Sequence, residues 1–214
     1  MKMIPPAFVY GDTPMKRYFP FLAAIALVLL LAGCEPADSL FPLFVKSEKA
    51  FDERLLGEWR IQSKASFKHG EKSGRISFRK NSDSTGYEAT LFDFDEKGMN
   101  LALTVHIVRL GDFSFIDFGT PDPDTRRFKE LPYPIIESHF FGRIHLEKGS
   151  AWLDLLSDDW AKEQGKATKP TLAIVQTADG PAISASTEEL RKFALEHAED
   201  TEAFSEHYSL SRTK

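Results

Sequence analysis

The feature that most constrains this chain is a recurring two-residue alternation of apolar and polar side chains. Arg75-Ile76-Ser77-Phe78-Arg79 alternates strictly, and Leu101, Leu103, Val105 and Ile107 occupy every second position of a later run. Further short runs lie at Tyr87 to Phe94, Asp112 to Phe118, Phe140 to Glu147, Ala151 to Leu156, Thr171 to Gln176 and Ala182 to Ala185. Successive side chains of a strand point to opposite faces, so this period builds sheets with one buried face. Gly111, Lys148-Gly149 and Asp179-Gly180 supply turns between runs. Short strands at such spacing predict a mainly β fold, an antiparallel barrel, half-barrel or sandwich connected most simply as a meander.

Two helices should interrupt the strands. Ser157-Asp158-Asp159 offers capping residues and Gly165 a stop for a short helix. Ser186-Thr187-Glu188-Glu189 reads as a capping box, after which Leu190, Phe193, Ala194 and His197 share one face. This C-terminal helix is expected to pack across the barrel wall or cover an end. The connection from Gly119 to Ser138 is unusually long and carries four prolines, with Arg126, Arg127 and Lys129 between them. It is the candidate contact loop, set against a proline-braced loop with no ligand.

A separate signal precedes the body. Lys16 and Arg17 lead into the uncharged run Phe21 to Ala32, twelve residues long and too short to span a bilayer. A positive lead, a short apolar core and small residues at its end are the parts of an export signal. Leu31-Ala32-Gly33-Cys34 then resembles the lipobox of bacterial lipoproteins. That resemblance implies cleavage before Cys34, the only cysteine, and acylation of its thiol and amino group. Two or three acyl chains anchor a protein stably, whereas one does so only marginally. Residues 1–33 are therefore expected to be a signal peptide, with Met15 the expected start, and 34–50 a lipidated cysteine and tether. Residues 51–214 are expected to form a single domain. Glu35, where an Asp would hold an enteric lipoprotein at the inner membrane, points to the outer membrane facing the periplasm.

Residues 1–33 contain Lys2, Lys16, Arg17 and Asp12, so the mature chain keeps 24 basic and 31 acidic side chains. That balance argues against nucleic acid as a partner and against a polybasic grip on anionic lipid. The stretch Leu40-Phe41-Pro42-Leu43-Phe44-Val45 is read as packing on the domain, in preference to lying at the membrane surface.

Gly57-Glu58-Trp59, at the head of the strands, resembles the G-x-W signature of lipocalins and related small barrels, where the Trp plugs the closed end. No counterpart of the later lipocalin motifs is evident. The SLFPLF tether, the FDERLLGEW opening, the HFFGRIHLEKGSAWLDLLSDDW block and the STEELRKFALEHAED helix together resemble a group of uncharacterised bacterial lipoproteins. That resemblance implies family and address and carries no activity.

The 93–98 stretch approaches a calcium-loop pattern but has Lys97 where a ligand is needed. His139 and His145 share a strand face about 20 Å apart at 3.3 Å per residue, too far for one metal, although His106 could join one of them from a neighbouring strand. Asp158 and Asp159 are explained by helix capping. No cofactor or metal is expected. Trp59, Trp152 and His139 are the candidates for lining a barrel end or ligand cavity. Three functions remain open. The leading one is a non-catalytic binding module for an apolar ligand or envelope partner. The others are a structural or assembly lipoprotein without a pocket, and an envelope hydrolase using His139 and nearby acids.

Overall fold

A computed structural model describes residues 36–48, 50–63, 73–92, 100–120, 137–177 and 180–213. Residues 1–33, with Leu31, Ala32 and Gly33, lie outside the described residues, as do Cys34, the 93–98 stretch, and Arg126, Arg127 and Lys129.

In chain order the strands are β1 (Gly57–Ser63), β2 (Ser73–Lys80), β3 (Tyr87–Phe92), β4 (Leu101–Leu110), β5 (Phe113–Gly119), β6 (His139–Leu146) and β7 (Ser150–Leu155). Helix α1 (Asp158–Lys166), the short pair β8 (Ile174–Gln176) and β9 (Pro181–Ile183), helix α2 (Thr187–Glu196) and β10 (Glu206–Arg212) follow. Eight strands close into an antiparallel barrel in the order β1-β10-β7-β6-β5-β4-β3-β2, with β2 pairing back onto β1. The order is a meander except between β7 and β10, where both helices and the β8–β9 pair intervene. Gly111 (φ +57°) and Gly149 (φ +87°) make the tight turns into β5 and β7 in a conformation costly for other residues. Both helices begin where their caps predict. Ser157 accepts from the Trp160 N–H (3.5 Å), and Ser186 and Glu189 form the complete capping box.

The alternation sorts side chains into two cores. Trp59, Phe78, Tyr87, Val105, Ile116 and Leu153 point inward and fill the barrel. The opposite parity of β4 to β7, including Val108, Phe115, Phe141 and Leu156, faces outward into a second cluster. Leu190 and Phe193 of α2, Ala161 of α1, Phe204, and Leu43 from the N-terminal segment complete that outer core.

The segment after Cys34 packs on the domain, as the reading of Leu40 to Val45 expects: residues 36–48 lie as a strap along the outer wall. Five backbone hydrogen bonds of 2.7–2.8 Å fix its first part. Ala37 donates to Leu156, Ser39 exchanges two bonds with His139, Leu40 donates to Ile183, and Ile183 donates to Asp38. One expectation changes: the C-terminal helix is not the last element. It packs on the wall, and β10 follows it to close the barrel between β1 and β7. Glu206–Arg212 offers Leu210 as its one fully buried side chain, so its alternation is too thin to read as a strand.

Candidate functional site

The most concentrated polar chemistry in the described residues lies between the strap and the outer wall. Adjacent strands β4, β5 and β6 place His106 opposite Asp117, and Gly119 opposite His139. All of these positions have outward parity. Asp117 is fully buried and His139 is 5% exposed, in a wall otherwise covered by apolar side chains. A buried carboxylate is tolerated only when its oxygens are satisfied. Here His139 Nδ1 donates to Asp117 Oδ1 at 2.8 Å, and the strap's Leu43 N–H donates to Oδ2 at 2.5 Å. A side chain on β5 thereby supplies an acceptor that the strap's backbone lacks at that point.

His106 completes the cluster. Phe44 of the strap stacks on its ring, with centroids 3.7 Å apart and planes at 12°. Its Nδ1 is buried without a hydrogen-bond partner. Burial lowers the His106 pKa below its ordinary value, outweighing the upward pull of Asp117 and Asp83, and His139 adds to the lowering. Both rings need glycine beside them. A Cβ at Gly119 would lie 2.9 Å from His139 Cε1 and 2.7 Å from Thr104 Oγ1, and one at Gly86 would lie 2.8 Å from His106 Cδ2. Beyond the cluster, Thr187 Oγ1 donates to Pro42 O (2.7 Å), and Arg191 forks onto Glu48 (2.7 and 2.8 Å), tying α2 to the same strap.

An acid that orients a histidine is half of a nucleophilic triad. This pair, however, is covered by the strap, and the second oxygen of Asp117 is engaged by Leu43. The arrangement fastens a chain segment. Among the described residues no group of three or more His, Cys, Asp or Glu is disposed to hold a metal ion.

At the other end of the barrel, the 3-10 turn Glu53–Leu55 leads into β1. Trp59 donates from Nε1 to Leu55 O (2.8 Å), and the Arg212 guanidinium lies 4.8 Å over its ring. Beside this plug is a groove of about 230 Å³ bordered by Asp52, Arg54, Ile107, Arg109, Phe113 and Leu146. Asp52 holds Arg54 through a two-pronged contact (3.0 and 2.7 Å), which lowers the Asp52 pKa.

Of the three candidates for a barrel end or cavity, Trp59 is inside and closes an end. Trp152 shares the outward parity of Asp154 and is 38% exposed, its ring 5.5 Å from His145. His139 also faces outward, under the strap, so neither lines the interior. His139 and His106 do come together, flanking the Asp117 carboxylate. Asp154 accepts from Arg143 (3.0 Å) and His207 (2.5 Å), a surface network with no substrate-facing pair. The candidate contact loop is described only at its roots, where Thr120 N donates to Ser138 O (3.0 Å).

Sequence reasoning missed Asp117. Its signal was present: a single carboxylate inside Phe113–Gly119 (FSFIDFG), where an unpaired charge would be costly. Among the described residues no helix is long and apolar enough to cross a membrane. No family model, no curated protein and no solved structure matches the chain.

Proposed function

We propose that this chain is a lipid-anchored protein of the bacterial cell envelope and a non-catalytic binding module for another envelope component. Acyl chains on Cys34 would hold it in the outer membrane, facing the periplasm. The address rests on the charged lead, the twelve-residue apolar run and the LAGC motif. The observation favouring a macromolecular partner over an apolar small molecule is the dense packing inside the Trp59 end of the barrel. Trp59, Phe78 and Tyr87 are at most 1% exposed, and Phe118 and Phe140 stack at 4.9 Å within the barrel. The groove beside Arg54, about 230 Å³, falls below the roughly 300–1,000 Å³ of ordinary ligand sites. The burial of Asp117 and His139 weighs against the hydrolase reading.

Two measurements test this. Residues 36–214, purified without denaturant and offered a lipid extract, should give a clean apo mass by native mass spectrometry. A retained lipid-sized adduct would overturn the partner reading in favour of a carrier. Replacing Cys34 by Ser should leave an uncleaved, unacylated precursor, and normal maturation of that variant would refute the anchor.

A further inference from the structure

We infer that the acylated chain holds the barrel directly on the bilayer, with the rim around Pro36, Ser157 and Ala203 facing the lipid headgroups. This rests on the reading of Cys34 as the acylated residue. The argument is one of reach. Pro36 forms an antiparallel bridge with Ser157, and Ala37 N donates to Leu156 O at 2.8 Å. The chain is thus fastened to the wall two residues after Cys34. Two residues span at most about 7 Å, and each headgroup layer is about 5–8 Å thick. With acyl chains in the hydrocarbon, Pro36 must lie within or at the edge of the headgroups. A flexible leash would let the domain hover or tumble. The docked strap leaves none.

A second segment joins this rim. Ser157 N donates to Ala203 O (2.9 Å), which brings the turn before Phe204 beside the Pro36 bridge. Among the described residues the rim also carries Asp159, its side chain 72% exposed and 3.8 Å from Lys162 Nζ, and the exposed Glu202. The partner is the phospholipid headgroup surface of the membrane that the acyl chains enter. The opposite pole is the β6–β7 turn at Lys148. From Ser150 to Ser157 the chain runs about 23 Å at 3.3 Å per residue. Even with the usual barrel tilt, that is roughly 16–19 Å along the barrel axis.

The test uses the full lipoprotein in phosphatidylethanolamine–phosphatidylcholine vesicles containing a nickel-chelating lipid. Nitroxide labels are placed singly at Asp159→Cys and Lys148→Cys, since an acylated Cys34 takes no label. Intact mass first establishes acylation. The label at 159 should gain relaxation from headgroup nickel, and the label at 148 should not. A six-residue Gly-Ser insertion between Glu35 and Pro36 should abolish the gain at 159. Equal relaxation at both sites, or none at either, in a chain whose mass carries the acyl groups would overturn the inference and leave the anchor standing. An unacylated mass would overturn both.

Discussion

The carboxylate of Asp117 is the sharpest place to test how the strap is held. Replacing Asp117 by Ala removes the acceptor for both the Leu43 N–H (2.5 Å) and His139 Nδ1 (2.8 Å). The region is closed to water, with Asp117 at 0% and His139 at 5% exposure. A buried donor left without a partner costs about 1–3 kcal/mol, so the two together cost about 2–6 kcal/mol. For a domain of this size 1 kcal/mol moves the midpoint by about 2–4 °C, placing the expected loss near roughly 10 °C. Asp117→Asn separates charge from hydrogen bonding. Its amide oxygen can still face Leu43 and its NH2 can meet the other tautomer of His139, so the cost should fall to about 1–2 kcal/mol. The assay is urea unfolding of residues 36–214, with amide exchange read at Ser39, Leu40 and Leu43. Alanine should accelerate exchange at those amides more than it does in the interior of β1. An Ala variant within about 1 kcal/mol of the parent, with strap exchange unchanged, would refute the view that Asp117 fastens the strap.

Two further outcomes follow from the same geometry. Burial lowers the His106 pKa, so between its ordinary value of 6.5 and its lowered folded value the unfolded chain binds more protons and stability rises with pH. The urea midpoint should therefore fall on acidification from about pH 7 to pH 5, and His106→Phe, which keeps the stack on Phe44, should flatten that fall; equal slopes would show that another group controls it. At the plugged end, Trp59→Ala should cost about 3–5 kcal/mol for an emptied core site, whereas Arg212→Ala, removing an exposed cation over the same ring, should cost about 0.5–1 kcal/mol by thermal unfolding, and comparable losses would mean that Arg212 does more than cover the indole.

Much of the barrel was legible because alternation is a local property. Arg75 to Arg79 and Leu101 to Ile107 each declare which residues face inward without knowledge of their neighbours. The two helices were legible through Ser157 and Ser186, since a cap is also local chemistry. β10 was not, because a strand with one fully buried residue carries almost no periodic signal; it is specified by the edges of β1 and β7 that it closes. The Asp117 site was hidden for a related reason. His106, Asp117 and His139 are eleven and twenty-two residues apart in sequence, and only the registers of β4, β5 and β6 bring them side by side. The outward parity of Trp152 and His139 follows from the inward placement of Ala151 and Leu153 and of Phe140 and Ile144, but strand register had to be known before parity had a meaning. Nor does periodicity reveal that a barrel's outside can be a core. Phe115, Asp117 and Phe141 face away from the barrel axis and are nonetheless fully buried, because the strap and α2 cover them.

That double core gives the N-terminal strap two different jobs along one short run of chain. Its first part joins the outer core, where Leu43 is fully buried and Phe44 caps His106. Its continuation enters the barrel's end. Ala50 bridges Ile107 beyond the last paired residue of β3, Tyr87 OH donates to Asp52 O (2.9 Å), and Leu55 receives the Trp59 indole. The second part is therefore held by the barrel interior, and the first by its backbone bonds at Ala37 to Leu40 and by Asp117. Because open states of a protein follow its locally weakest contacts, the strap before residue 44 can lift while the plug at Trp59 stays seated. A chain pulled from Cys34 would meet the Pro36–Ser157 bridge first, the backbone bonds of Ala37 to Leu40 next and then the Asp117 clasp. Only after all had given way would force reach the barrel's closure.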